Sequence, residues 1–187
     1  MESSNNKLIL FLFVLLPFGL LSQDKIKWIS LEDAVYLQQT EPRNIIIDVY
    51  TNWCGPCKKL DRETFGNEDL IKYVNENYYA VKFNAEGNEK IEFQGYEFSN
   101  PNFDPAKTRR RNSSHEFTRA LRVSAYPTVV FLDKSSNVLY KLRGFQPVRQ
   151  MEFFLKYLND KYKEIKTQEE MNAYQNSFVY ELSLIHI

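Results

Sequence analysis

Residues 44–58 read NIIIDVYTNWCGPCK, an apolar run followed directly by two cysteines in a C-x-x-C motif. The apolar run is near-continuous, which predicts a strand buried on both faces. Cys54 and Cys57 are the only cysteines in the 187-residue chain. A protein with all of its thiols in one motif is predicted to carry out thiol chemistry.

The spacing of the two cysteines fits one helical turn. If Cys54 lies at the start of a helix, the sulfur of Cys57 falls on the same side, within bonding distance. The first-turn N–H groups and the helix dipole favour the thiolate of Cys54, which is therefore the predicted nucleophile, with Cys57 as the resolving cysteine. Pro56 suits a first helical turn, and Gly55 adds no side chain that would block an incoming disulfide.

A C-x-x-C pair could instead be half of a zinc site. Structural zinc needs four ligands, and the only histidines in the chain are His115 and His186. We therefore expect no metal, and no cofactor besides a redox-active disulfide between Cys54 and Cys57.

The segment around the cysteines closely resembles the active site of thioredoxins. Ala125-Tyr126-Pro127-Thr128, followed by an apolar strand, is similar to the proline loop of that family, in which a cis proline faces the cysteines and helps to hold an extended substrate. A trans proline at a strand start is the simpler alternative, but the position favours cis. The resemblance implies substrate contacts from Trp53, Gly55, Pro56, Tyr126 and Pro127.

Three further positions match the thioredoxin pattern. Asp48 matches the buried acid that assists proton transfer to the resolving cysteine, Lys82 the lysine near that acid, and Gly144 the glycine after the last strand pair. From the residues alone, Asp48 could face solvent at a strand end and Lys82 could be an ordinary surface charge. The resemblance implies catalytic roles for Cys54, Cys57, Asp48 and Lys82.

The resemblance covers about residues 45–157 and implies an α/β, thioredoxin-like three-layer sandwich. Periodicity also predicts a central mixed β-sheet with helices on both faces. The predicted elements are a helix over 31–39 behind Ser30, strands over 44–50 and 78–83, a helix ending at Asn77, a hairpin over 129–132 and 138–142, and a helix that starts at Pro147.

An insert at about residues 87–113 precedes the cis-proline loop. It adds about 30 residues before a helix predicted over 114–122, too many for a structureless loop in a compact domain. Residues 91–98 carry a hairpin signal. The basic run 107–111 is interpreted as a solvated face rather than a nucleic-acid site. We hypothesise that the insert influences partner choice, and expect His115 to lie at the surface or cap a helix rather than tune a thiolate.

The predicted domain comprises residues 23–163, and both ends of the chain are predicted to lie outside it. Residues 1–22 resemble a signal peptide cleaved after Ser22, with an uncleaved anchor as the alternative. Residues 164–181 predict a helical extension that either packs on the domain or leads elsewhere. Residues 182–187 match a translated sequencing adapter and are interpreted as a non-native tail. The predicted location is periplasmic or extracellular, as a soluble protein.

Lys and Arg number 24, as do Asp and Glu, so no global field points to nucleic acid or an anionic membrane. We expect a monomer that acts on protein disulfide or thiol substrates. Because disulfide exchange outside the cytosol needs a redox supply and the sequence holds no second redox centre, a separate membrane or envelope electron donor or acceptor is implied.

The predicted function is an exported thiol-disulfide oxidoreductase that reduces protein disulfides and serves cell redox homeostasis. Gly55-Pro56 favours reduction because it is the dipeptide of thioredoxins, whereas oxidising and isomerising relatives usually carry other residues there. The alternatives are a thiol oxidase or isomerase, and a thioredoxin-like module that binds peptides or proteins with secondary redox chemistry.

Overall fold

The apolar run before the cysteines forms the central strand of a mixed sheet. A computed structural model describes residues 25–182, so the predicted signal peptide and residues 183–187 of the predicted tail lie outside the described residues. The strands are β1 (Trp28–Ile29), β2 (Asn44–Tyr50), β3 (Tyr78–Asn84), β4 (Ile91–Phe93), β5 (Tyr96–Phe98), β6 (Thr128–Leu132) and β7 (Val138–Arg143). The helices are α1 (Leu31–Gln38), α2 (Gly55–Glu63), α3 (Glu68–Asn77), α4 (Glu116–Ala120), α5 (Val148–Lys156) and α6 (Gln168–Ser177).

Five strands form the main sheet in the order β1-β3-β2-β6-β7. β1 and β2 each pair parallel with β3, whereas β6 runs antiparallel to both β2 and β7. β4 and β5 form a separate two-stranded hairpin. The predicted mixed sheet and the predicted hairpin in the insert are both confirmed.

Side chains alternate along β2, so its apolar residues point to both faces of the sheet, and helices cover both. Ile45, Ile47 and Val49 pack in a core with α1, α4 and the β4–β5 hairpin. Ile46 packs in a second core with α2, α3 and α5, and Asp48 shares its face of the strand. The three-layer thioredoxin-like sandwich is therefore confirmed.

Most predicted elements end within one or two residues of the observed ones. α4 is shorter than predicted, because His115 is its N-cap and the chain turns to a positive φ of 50° at Arg122. β1 was not predicted, since two residues are too few to show a periodicity. Gly144 directly follows β7 with φ 80°, a conformation that glycine adopts without steric cost.

The C-terminal extension packs on α5. Thr167 and Glu170 form the capping box that starts α6. The ring of Phe153 lies 5.6 Å from that of Tyr174 and 5.1 Å from that of Phe178. Of the two arrangements left open by the sequence, the described residues adopt the packed one. No helix in residues 25–182 is both long and apolar enough to cross a membrane.

Candidate active site

The two cysteines form a disulfide at the start of α2. Cys54 is the N-cap residue, and its sulfur accepts a hydrogen bond from the N–H of Cys57 at 3.1 Å. The sulfurs are bonded at 2.10 Å, and the two residues are 3% and 2% exposed. The predicted disulfide and the predicted helix start are confirmed.

The dipeptide between the two buried cysteines is exposed. Pro56 lies in the first turn of α2, as predicted. A Cβ atom added to Gly55 would meet no atom within 4 Å. The approach of another protein to this turn is therefore unobstructed at Gly55.

The proline loop lies beside the cysteine loop because β2 and β6 run antiparallel. Val49, near the end of β2, pairs with Thr128, the first residue of β6. The peptide bond between Tyr126 and Pro127 is cis, as predicted. The ring of Tyr126 packs edge-on against Trp53, with ring centroids 6.2 Å apart. The structure thus brings together the predicted substrate-contacting residues of both loops.

Asp48 is a buried carboxyl group in the middle of the sheet. It is 1% exposed, and neither carboxylate oxygen accepts a hydrogen bond from a described residue. The ammonium nitrogen of Lys82 lies 3.5 Å from Oδ2. Burial raises the pKa of Asp48 from 3.8 to about 7, although the positive charge of Lys82 opposes the shift. The alternative of a solvent-facing aspartate is thus excluded, and the group can exchange a proton near neutral pH.

Lys82 lies beside Asp48 because the two residues are register partners on β2 and β3. Its ammonium group also donates a hydrogen bond to Asp61 on α2. The ring centroids of Trp28 and Tyr50 each lie 5.2 Å from the nitrogen. Lys82 is therefore a partly buried charge held between a buried carboxylate, a helix and two rings, rather than an ordinary surface lysine.

Glu86 is a site residue that the sequence did not reveal. Its Oε2 atom accepts hydrogen bonds from the indole N–H of Trp53 at 2.7 Å and from the backbone N–H of Asn112 at 2.9 Å. Glu86 thereby joins the residue before Cys54 to the end of the insert. No motif marks it, because its partners lie 33 and 26 residues along the chain.

His115 caps α4, which confirms the expected surface or capping role through its second alternative, and its side chain is fully buried. Its Nδ1 atom accepts a hydrogen bond from the N–H of Phe117 at 3.0 Å. Nε2 lies 2.7 Å from the carbonyl oxygen of Glu89, so the ring donates there as the Nε2–H tautomer. Both nitrogens are occupied by backbone groups. Across residues 25–182, no three His, Cys, Asp or Glu side chains are grouped as a metal site would require.

The sequence profile of the thioredoxin-like domain family matches residues 31–159. The chain belongs to this family. No curated protein sequence matches it significantly.

Solved structures share the fold. A thioredoxin-fold protein from Helicobacter pylori is 19% identical, with a TM-score of 0.53 over 72% of this chain and 81% of that one. A DsbH oxidoreductase is 15% identical, with a TM-score of 0.51 over 87% and 96% of the two chains. A thioredoxin from Thermus thermophilus is 16% identical, with a TM-score of 0.53 over 73% and 89%. At these identities the likeness shows the fold alone.

Proposed function

We propose that this protein is an exported thiol-disulfide oxidoreductase that reduces protein disulfides. The observation that carries the proposal is the constellation around the cysteines. A disulfide lies at a helix start, the loop with the cis proline packs against the cysteine loop through Tyr126 and Trp53, and a buried carboxyl group with a pKa near 7 lies on the strand that leads into the site. A nucleophile, a resolving thiol and a proton acceptor are the groups that dithiol exchange requires.

In the first step the thiolate of Cys54 attacks one sulfur of a substrate disulfide. A bond forms between that sulfur and the sulfur of Cys54, the substrate S–S bond breaks, and the other substrate sulfur leaves as a thiolate. The N-cap position favours negative charge on Cys54, because the helix dipole and first-turn N–H groups point towards it.

In the second step the proton of the Cys57 thiol passes to the carboxylate of Asp48. The resulting thiolate attacks the sulfur of Cys54, the mixed disulfide breaks, and the second substrate sulfur leaves as a thiolate. Both electrons gained by the substrate come from the cysteine pair. An acceptor with a pKa near 7 is suited to this transfer at neutral pH, and Lys82 acts as a positioning residue that moderates that pKa.

The substrate is proposed to lie as an extended segment against the proline loop. Trp53, Tyr126 and Pro127 would supply its walls, with Gly55 and Pro56 leaving the approach open. The oxidised pair must then be reduced again by a separate dithiol donor in the envelope. Export itself is inferred from residues 1–22.

Trapping with Cys57→Ser tests the assignment of the cysteines. This variant should accumulate substrate proteins in mixed disulfides on Cys54, whereas Cys54→Ser should trap none and should lose turnover in an insulin reduction assay. A wild-type protein that binds partners but does not turn over would instead be the binding module.

The direction of electron flow is tested by equilibrating residues 23–181 in graded thiol-disulfide buffers and alkylating the free thiols. We expect a reduction potential near about −270 mV, as for thioredoxin. A potential near about −120 mV would identify an oxidase and overturn the reductase proposal.

A further inference from the structure

The insert carries its basic run, residues 107–111, to the rim of the active site. The guanidinium carbon of Arg111 lies 5.0 Å from the ring centroid of Trp53. The side-chain amide of Asn52 donates a hydrogen bond to the carbonyl oxygen of Thr108 at 2.9 Å. Arg109 and Thr108 border the same surface recess as Trp53. The run is therefore next to the cysteines in space, although more than 50 residues separate Asn52 from Thr108 in sequence.

The position of the run is held by contacts at both of its ends. At one end, the Glu86 carboxylate bonds both Trp53 and the backbone N–H of Asn112. At the other end, Asp104 caps a short 3₁₀ turn over Pro105–Lys107. A charged segment anchored in this way presents its side chains at a defined place beside the reacting disulfide.

The three arginines of the run form no ion pairs among the described residues, and the nearby Glu86 carboxylate is bonded to Trp53 and Asn112. Arg109, Arg110 and Arg111 are exposed. Lys107 pairs with Asp104 at 3.3 Å, an exposed contact that screens it only partly. Lys58 on α2 is exposed and borders the same recess as Arg109. A chain with no net charge thus concentrates positive charge at one edge of its thiol site.

We propose that the 107–111 run is a specificity element that selects extended protein segments with Asp or Glu residues close to the reacting disulfide. This inference rests on the proposed function, because it concerns the substrates of the same cysteines. Complementary charge at the rim of an interface raises the association rate and disfavours partners of like charge. A protein partner is favoured over a nucleic acid because the run borders the thiol site, where only a sulfur-bearing partner reacts.

Three matched peptide disulfides test the inference. They share one sequence and carry two Glu, two Gln or two Lys residues beside the cystine. The second-order rate constant for their reduction by the dithiol form of the protein is measured from the release of peptide thiol. At low ionic strength we expect the Glu peptide to react roughly fivefold faster than the Gln peptide, and the Lys peptide to be slowest. The ratio of the Glu to the Gln rate constant should approach one at about 0.5 M salt, since exposed charges are screened.

Charge reversal assigns the preference to the run. The double substitution Arg109→Glu with Arg110→Glu should invert the order of the Glu and Lys peptides, and the neutral Arg109→Gln with Arg110→Gln should remove most of the preference. The matched control is Lys134→Glu with Lys163→Glu. These exposed lysines border a recess that contains Asn44, at the end of β2 away from the cysteines. The control changes the net charge equally and should keep the wild-type order.

The outcomes separate the two proposals. If no peptide is reduced, including the Gln peptide, the proposed function fails. If all three react at equal rates, or if the control alters the ratio as much as the arginine variants do, the inference fails while the function stands. The urea unfolding midpoint of each variant shows whether a change in its peptide rate ratio comes from a loss of folded protein. A duplex oligonucleotide that binds the oxidised protein more tightly than the oxidised Glu peptide does would also overturn the inference.

Discussion

Replacing Asp48 with asparagine should change how the stability of the oxidised protein depends on pH. Burial raises the pKa of this carboxyl from 3.8 to about 7 in the folded state. The folded protein therefore holds the proton more tightly than the unfolded chain does. The stability from this group is fully present below about pH 4 and is lost as the pH rises through about 7.

The magnitude follows from the two pKa values. A shift of about 3 units corresponds to about 4 kcal/mol of unfolding free energy between the fully protonated and fully ionised limits. Over the accessible range from about pH 5 to about pH 8, the loss is about 3 kcal/mol, because the unfolded carboxyl is already ionised at the lower pH. Asparagine does not titrate, so the unfolding free energy of Asp48→Asn should lack this pH-dependent loss.

The assay is urea unfolding of the oxidised wild type and of Asp48→Asn at both pH values. The difference in unfolding free energy, variant minus wild type, should rise by about 3 kcal/mol from pH 5 to pH 8. The contributions of other titrating groups cancel in this difference. Asp33→Asn, the same substitution at an exposed position on α1, is the matched control. An Asp48→Asn difference that is the same at both pH values would refute the reasoning.

Two further substitutions test the contacts around the site and the extension. Glu86→Ala leaves the indole N–H of Trp53 and the backbone N–H of Asn112 without their acceptor. The free energy of unfolding in urea should fall by about 1–3 kcal/mol, and proteolysis within residues 87–113 should be faster. Glu86→Gln keeps an acceptor and should lose less stability. Phe153→Ala removes the buried ring that contacts α6 and Phe178. The free energy of unfolding should fall by about 3–5 kcal/mol, and proteolysis should release residues 164–181 early. An extension that stays protected from proteolysis would contradict its packing on α5.

Much of the fold could be predicted because its signals are local. The isoleucines of β2 form a continuous apolar run, and Asn67, Thr167 and Ser30 each accept a hydrogen bond from the third residue of the helix that follows. The hairpin strands 91–93 and 96–98 alternate around Gln94 and Gly95, both of which adopt positive φ. The position of α4 was less exact, because a five-residue helix has little periodicity.

The site was predicted in part. The cysteine pair and the cis bond before Pro127 came from a motif and a resemblance, and the structure contains both. Glu86 could not be found, since an acid that bonds an indole and a distant backbone N–H leaves no pattern in the sequence. The basic run is exposed, as its composition predicts, but its place beside Trp53 depends on contacts between distant segments that the sequence does not show.

The sequence by itself determined the strand that leads into a C-x-x-C helix, the disulfide and the class of chemistry, because helix starts and apolar runs depend on neighbouring residues. Only the tertiary structure decided the environment of those groups. The pKa of Asp48 depends on its burial and on Lys82 across the β2–β3 pairing, and the charge at the rim depends on where the insert packs. Desolvation and Coulomb interactions act through space, so they are set only when distant segments of the chain are packed together.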